Sequence, residues 1–227
     1  MRTRTTFRAG LTRDSVVRSA LALLDRAGVD GFAMRALARD LGVQVAALYQ
    51  HVDDRETLLA EVVGLILVDV ELPRAEGDWQ RELTRFATSY RAALHSHAAA
   101  APLVSGQLVS NGPQDFPIVE ALLACLSDGG FAGRALLDAY NTFLGWLVGF
   151  VGVELAPAPA EASGWGERRR ADLKALRPAD YPHMARHRRQ LERAFAVRWR
   201  SGAQAPMDDA FRAALRVVLE GLPVLKD

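Results

Sequence analysis

The sequence has little of the residues that build cross-links, metal clusters and catalytic motifs. Cys125 is the one cysteine among 227 residues, which excludes an intramolecular disulfide and a cysteine-cluster metal site. The chain has no GxSxG elbow, HExxH pair, P-loop or GxGxxG turn. His95 and His97 are two residues apart, so on a helix they point to different sides and make a weak metal pair. We therefore expect no enzyme activity, no cofactor and no metal.

An excess of charge of one sign and long apolar runs are also missing. The chain has 28 basic and 27 acidic residues and a net charge of +1, so any nucleic-acid footprint must be local. Residues 1–10 are arginine-rich but lack the apolar core of a secretory signal. The longest apolar runs, 62–68 and 143–153, are too short to cross a bilayer. These features predict a soluble cytoplasmic protein without membrane contact.

Apolar residues recur at helical spacing, and no stretch shows the alternation of a β-strand, which predicts an all-α fold. The first helix is expected to begin at the N-cap Thr12 and to end at Gly28. Residues 156–180 are poor in large apolar side chains and contain prolines, so we expect a long loop there. The other expected helices span 33–40, 44–50, 54–70, 79–100, 103–110, 114–127, 132–155, 181–199 and 207–221.

The most informative segment is AMRALARDLGVQVAALYQHVDDRETLL, residues 33–59. Two short helices joined by a glycine turn predict a helix-turn-helix, whose second helix can lie in the major groove of DNA. Gly42 provides the turn, and the residues expected in a miniature core are Leu37, Leu41, Val45 and Leu48. Periodicity alone fits any pair of short helices, so a helical small-molecule carrier without DNA binding remains the alternative.

The motif LGVxxxxLYxHV, a charged triplet and a Leu-Leu pair resemble the N-terminal domain of the tetracycline-repressor (TetR) family. Similar residues continue beyond it, as Asp-Trp-Gln at 78–80, Ser-Tyr-Arg at 89–91 and Gly-Phe at 130–131. The resemblance implies a three-helix helix-turn-helix domain, residues 1–60, and a helical ligand-binding and dimerisation bundle, residues 61–227. It also implies a transcriptional repressor that binds double-stranded, palindromic operator DNA as a homodimer and is released by a small hydrophobic effector.

By the same resemblance, DNA-contacting residues are transferred position by position. Glutamine pairs with adenine edges, and small apolar side chains meet thymine methyl groups, which suits the start of the second short helix. Asp53 and Asp54 depart from the family pattern, and Asp54 is expected to cap the helix that starts at Arg55. The implied DNA-binding residues are Arg35, Gln44, Val45, Ala46, Ala47, Tyr49, Gln50, His51 and Arg55.

The implied effector pocket is apolar with few polar groups, although each of its residues is equally compatible with plain core. Val104 stands where tetracycline-responsive members carry a histidine that binds the ligand's magnesium, and valine cannot ligate a metal. We therefore expect a hydrophobic effector that needs no divalent ion. The candidate ligand-binding residues are Phe86, Tyr90, Val104, Gln107, Leu108, Phe116, Asn141, Phe143 and Trp146.

The helices expected at 132–155 and 207–221 match the dimerisation helices of the family. Three glycines, at 145, 149 and 152, lie within the first of them, where each costs about 0.8–1 kcal/mol relative to alanine. Such a cost suggests close packing, either against a second copy or against a neighbouring helix of the same chain. In the second helix the apolar face expected at the dimer contact consists of Phe211, Leu215, Val218 and Leu222.

Overall fold

The computed structural model describes residues 11–108, 115–156, 164–191 and 207–226. Within these ranges every regular element is helical and there is no strand, which confirms the all-α fold. The helices are α1 (Arg13–Ala27), α2 (Met34–Leu41), α3 (Val45–Leu48), α4 (Arg55–Leu67), α5 (Trp79–Ser96), α6 (Ala101–Leu108), α7 (Phe116–Asp128), α8 (Gly133–Leu155), α9 (Trp165–Ala175), α10 (Pro182–Arg186), α11 (Arg188–Leu191) and α12 (Asp208–Gly221), followed by a 3-10 helix (Leu222–Lys226).

The chain divides into two compact units, Met1–Gly129 and Gly130–Asp227. In the first unit Thr12 is the N-cap of α1: its side chain accepts a hydrogen bond from Ser15 N, and Ser15 Oγ accepts one from Thr12 N. This capping box satisfies two backbone donors that a helix start leaves unpaired. Helix α1 packs on α2 and α4, and Leu24 and Leu58 are completely buried there. The predicted N-cap at Thr12 is confirmed.

Helices α5 and α7 pack together in the same unit. A side chain at Gly129, which ends α7, would lie 2.8 Å from Trp79 Cγ, so glycine lets the helix end approach the indole. Two predicted boundaries in this region are wrong. Helix α5 stops at Ser96 rather than at residue 100. Helix α6 starts at Ala101, before Pro102, because the first turn of a helix does not use the N–H that proline lacks.

In the second unit α8 and α12 pack against each other and against the terminal 3-10 helix. The rings of Trp146 and Phe211 lie 5.5 Å apart, and Glu154 accepts a hydrogen bond from Met207 N at 2.9 Å. Phe211, Leu215 and Leu222 are therefore buried within the unit, and the expectation that they form an outer dimer face is wrong. The large apolar side chains left exposed here include Leu137, Val153, Val217 and Val224.

Helix α8 is long and apolar enough to cross a membrane by length and composition alone, yet only 22% of its most apolar window is buried. In the described part of the chain, a Cβ at Gly145 or Gly149 would meet nothing within 4 Å. Packing against the described residues therefore does not account for these two glycines. An apolar helix surface that its own chain leaves open is typical of a contact between subunits.

The segment from α9 to α11 differs from the sequence prediction. The stretch 165–175, expected to be loop, is helical because alanine, leucine, arginine and lysine all favour a helix even without an apolar face. The helix expected at 181–199 is interrupted at His187, and its last part, 192–199, lies outside the described residues. The same holds for residues 109–110 and 114 of two other expected helices.

Candidate DNA-binding and effector-binding residues

The turn between α2 and α3 is built on Gly42. Its φ of 68° and ψ of 30° are left-handed, and its N–H donates to the last carbonyls of α2. A Cβ at this position would meet nothing within 4 Å, so glycine is required for its conformation and not for space. Val43 N then donates to Ala38 O at 3.0 Å, which completes the Schellman-type end of the helix. The predicted glycine turn is confirmed.

Beneath this turn lies a closed apolar core. Leu37 and Leu48 are completely buried, and Ala38 and Val52 are nearly so. Ion pairs between exposed side chains join the surrounding helices: Arg13 of α1 binds Glu61 of α4, and Arg26 of α1 binds Asp40 of α2. Surface pairs of this kind contribute little energy each. The orientation of α3 therefore depends mainly on the buried leucines.

The candidate DNA-binding residues form one surface over this core. Gln44, Ala46 and Gln50 are exposed, and the ring of Tyr49 is 49% exposed although it is large and apolar. Arg35 on α2 is also exposed. The remaining members on and around α3 (Val45, Ala47 and His51) are half-buried. Gln44, Ala46, Tyr49 and Gln50 are thus exposed as predicted. Leu41 and Val45, which were expected in the core, are only half-buried, and so is Ala47, which was expected to point outward.

The start of α4 adds a positioned cation to this surface. Asp54 is the N-cap, as predicted, and its carboxylate accepts a hydrogen bond from Thr57 N at 2.7 Å. That backbone hydrogen bond lowers the pKa of Asp54 below its ordinary value. The guanidinium of the exposed Arg55 lies 5.6 Å from the ring centroid of the buried Phe32, within the range of a cation–π contact. Sequence reasoning missed Phe32, since its partner is 23 residues away and no short motif links them.

Three candidate effector residues of the first unit are core residues. Phe86, Tyr90 and Val104 are at most 1% exposed, and the rings of Phe86 and Tyr90 are 6.2 Å apart. The Tyr90 hydroxyl has no hydrogen-bond partner among the described residues, and burial raises the pKa of this phenol. A buried hydroxyl without a partner costs free energy, so an acceptor supplied by a ligand would stabilise it.

The other candidates have different environments. Phe116, at the start of α7, is 58% exposed. In the second unit Phe143 is buried, Trp146 is half-buried and Asn141 is exposed. The side chains of Gln107 and Leu108 lie outside the described part of the structure.

A cleft that the sequence did not reveal lies between α4 and α5. It has a volume of about 700 Å³ and is lined by Leu65, Ile66, Asp69, Glu71, Arg85, Thr88, Ser89, Ala92, Ala93, Ser96 and His97. At one end His97 Nδ1 lies 2.9 Å from Asp25 Oδ2, which connects the end of α5 with α1. The signal in the sequence was the row of small and hydroxyl side chains on one face of α5, which on its own is also typical of a solvent-exposed helix.

Among the described residues, neither the thiol of Cys125 nor the metal-ligating side chains have surroundings suited to catalysis. Cys125 is buried, and burial with nearby carboxylates raises the pKa of its thiol to about 11, which leaves little thiolate at neutral pH. No group of three or more His, Cys, Asp and Glu side chains in the described ranges is arranged to hold a metal ion.

Two family models match the chain. The model of bacterial regulatory proteins of the tetR family matches residues 16–62, and the tetracyclin repressor-like C-terminal domain matches residues 72–225. The chain belongs to the TetR family. It is a ligand-responsive, DNA-binding transcriptional regulator with an N-terminal helix-turn-helix and a C-terminal helical domain, and regulators of this family act as dimers. The carrier without DNA binding is thereby set aside.

The similarity to known members of the TetR family extends over most of the chain. An HTH-type transcriptional regulator of Saccharopolyspora erythraea is 31% identical over 77% of this chain and 74% of its own length. The class A tetracycline repressor of transposon 1721 from Escherichia coli is also 31% identical, over 93% and 90%. The crystal structure of ActR from Streptomyces coelicolor in complex with actinorhodin superposes with a TM-score of 0.74 at 24% identity, over 96% of this chain and 99% of that one.

Proposed function

We propose that the protein represses transcription by binding a palindromic operator through α3 of each subunit of a homodimer, in the cytoplasm and without catalytic activity. Residues 1–60 would form the DNA-binding part, and residues 61–227 the ligand-binding and dimerisation part. The observation that supports this best is the set of exposed side chains over a closed leucine core, namely Gln44, Ala46, Tyr49 and Gln50. In such an arrangement the outer residues are free to contact DNA while the core keeps their geometry.

Within this surface we assign two roles. Gln44, with Val45, Ala46, Ala47 and Gln50, reads base edges in the major groove. Arg35, Tyr49, His51 and Arg55 contact the sugar-phosphate backbone and set the register on the duplex. Arg55 has the best-defined position of the second group because of its contact with Phe32.

Selection of bound sequences from random DNA tests both roles at once. Gln44→Ala is expected to change the selected consensus, whereas Arg55→Ala weakens binding to all sequences and reduces the salt slope by about 1. Arg134→Ala, on an exposed arginine of α8, is the control and leaves both unchanged. A consensus that stays the same in Gln44→Ala but changes with Gln50→Ala would show that Gln44 does not read bases.

For the ligand we propose an apolar or aromatic effector of drug size that is bound without a divalent ion. Val104 replaces the magnesium-binding histidine implied by the family resemblance, and it is completely buried among apolar residues. The unpartnered hydroxyl of Tyr90 would donate one hydrogen bond to the effector. The effector then favours a dimer whose two α3 helices are wrongly spaced for the operator, which is a difference in ligand affinity between two states.

Two measurements test the effector proposal. Tyr90→Phe is expected to raise the effector concentration needed for release of DNA about tenfold while operator affinity stays the same, because one hydrogen bond to the ligand is lost. Calorimetry with tetracycline, with magnesium and then with a chelator, is expected to give no metal-dependent binding heat. Magnesium-dependent binding would contradict the argument from Val104.

A further inference from the structure

The α4–α5 cleft lies on a face of α5 that is separate from the aromatic core residues. Arg85, Ser89, Ala92 and Ser96 line it and recur at steps of three or four residues, which places them on one side of the helix. Phe86 and Tyr90, by contrast, are buried and do not line the cleft. A molecule in the cleft would therefore occupy a site distinct from the proposed effector pocket.

The size and floor of the cleft suit a small molecule. Its volume of about 700 Å³ falls within the roughly 300–1,000 Å³ range of ligand sites. Ile66 from α4 and the methyl groups of Ala92 and Ala93 from α5 provide apolar surface. The walls of the cleft are polar. A ligand that combines apolar surface with several polar groups therefore fits better than a purely apolar one.

The hydroxyl groups of Thr88 and Ser96 in the cleft already donate their protons to backbone carbonyls. Thr88 Oγ1 donates to Thr84 O at 2.7 Å, and Ser96 Oγ donates to Ala92 O at 3.2 Å. Each hydroxyl has one proton and two lone pairs, so these oxygens remain available only as acceptors.

His97 has the same character. Its Nδ1 faces the carboxylate of Asp25, which as an ionised group only accepts, so Nδ1 carries the proton of this contact. In the neutral ring Nε2 is then an acceptor.

The cleft is lined by more acidic side chains than basic ones, with Asp69 and Glu71 against Arg85. Asp69 has no ion-pair or hydrogen-bond partner among the described residues. The one arginine of the lining, Arg85, is engaged by Glu71, by Glu82 and by the carbonyl of Leu72. An anion would have to compete with these two carboxylates for Arg85, whereas a cation meets a free carboxylate at Asp69.

We propose that the α4–α5 cleft is a second ligand site, and that it takes a polyhydroxylated ammonium compound, chemically an amino sugar. The ammonium group pairs with Asp69, and the hydroxyl groups of the ligand donate to the acceptor oxygens of Thr88 and Ser96. Arg85 keeps its carboxylate partners and forms one wall. This inference does not depend on the proposed operator contacts, since it concerns the free protein.

Calorimetry on the full-length dimer without DNA tests the site, with kanamycin as the probe and raffinose, an uncharged trisaccharide, as the matched control. Kanamycin is expected to bind saturably with one site per chain, and raffinose at least tenfold more weakly, because a hydrogen bond to a charged group is lost. No binding of kanamycin, or equal binding of both sugars, would overturn the proposal.

Two variants place the binding in the cleft. Asp69→Asn is expected to weaken kanamycin binding about tenfold, while Asp30→Asn, on an exposed turn after α1, leaves it unchanged. Ala92→Trp fills the cleft from an exposed position and is expected to abolish binding without unfolding the protein, which circular dichroism checks. Unchanged binding in Ala92→Trp, or an equal loss in Asp30→Asn, would show that kanamycin binds elsewhere through general charge attraction.

Discussion

The surface around α3 and the surface of α8 and α12 differ in what they leave exposed. Around α3 the leucines are inside, and glutamine, arginine and small side chains face outward. On α8 and α12 Phe143 and Phe211 are buried, yet Leu137, Val153 and Val217 remain exposed. The first surface is complete in one subunit and is suited to reversible contact with a charged polymer. The second leaves apolar side chains open, as expected of a surface that another protein covers.

The comparison also explains why composition alone says little about this regulator. A net charge of +1 conceals one polar, arginine-bearing surface and one apolar surface in the same chain. Buried leucines hold the first surface in shape, whereas the apolar residues of the second lie on the outside. Substitutions are therefore expected to act differently in the two regions: through folding beneath α3, and through association on α8 and α12.

The largest effect is expected beneath α3. Leu48→Ala removes a completely buried side chain and is expected to lower the free energy of unfolding by about 2–5 kcal/mol, with loss of operator binding. Chemical denaturation followed by circular dichroism measures it, together with a DNA titration. Gln50→Ala, on the exposed side, is the control for stability. Equal stability of the two variants would contradict the assignment of Leu48 as the support of α3.

Next in size is the effect on association. Val217→Glu places a charge on the open apolar surface of α12 and is expected to weaken the dimer by about 3 kcal/mol, since the charge would be buried without a partner. Sedimentation then shows monomers that remain helical. Val68→Glu is the matched control, because Val68 is 68% and Val217 66% exposed, and it should stay dimeric. A dimeric Val217→Glu protein would move the interface away from this part of α12.

A smaller effect is expected at Phe32. Phe32→Leu removes the ring under Arg55 while it keeps an apolar residue in the core, and it is expected to weaken operator binding by about 0.5–1 kcal/mol. In an Arg55→Ala background the same change should have no effect on DNA affinity. A double-mutant cycle of binding constants measures this coupling. An undiminished loss in that background would mean that Phe32 acts through folding of the domain and not through Arg55.

The smallest effect concerns the cap of α4. The folded state lowers the pKa of Asp54, so its carboxylate stabilises the protein above the unfolded value of about 3.9, and this stabilisation is lost as the pH falls through the lower folded value. Asp54→Asn keeps a capping oxygen but cannot titrate. Thermal unfolding of both proteins is expected to show a steeper loss of stability below about pH 4 for the wild type. Parallel profiles would argue against Asp54 as the titrating cap.

The helix-turn-helix could be predicted because its determinants lie within the 27 consecutive residues 33–59, which include the left-handed Gly42 and the cap at Asp54. The α4–α5 cleft could not be predicted, because it depends on how α4 and α5 pack together although more than ten residues of sequence separate them. Helix α9 was missed for a different reason: it has favourable residues but no apolar stripe, and the prediction relied on periodicity. The roles of the candidate DNA and effector residues stay predictions.

The small side chains on the outside of α3 have a consequence for how such a regulator can change over time. Ala46 is exposed and Ala47 is half-buried. The helix is held in place by the buried side chains of Leu48 and, on α2, Leu37. Larger or polar residues at positions 46 and 47 would therefore alter the surface that faces the DNA groove and would change the free energy of unfolding little. A gene duplicate could drift toward a new operator through these positions while it keeps the old fold, so that new regulatory circuits can arise by single substitutions.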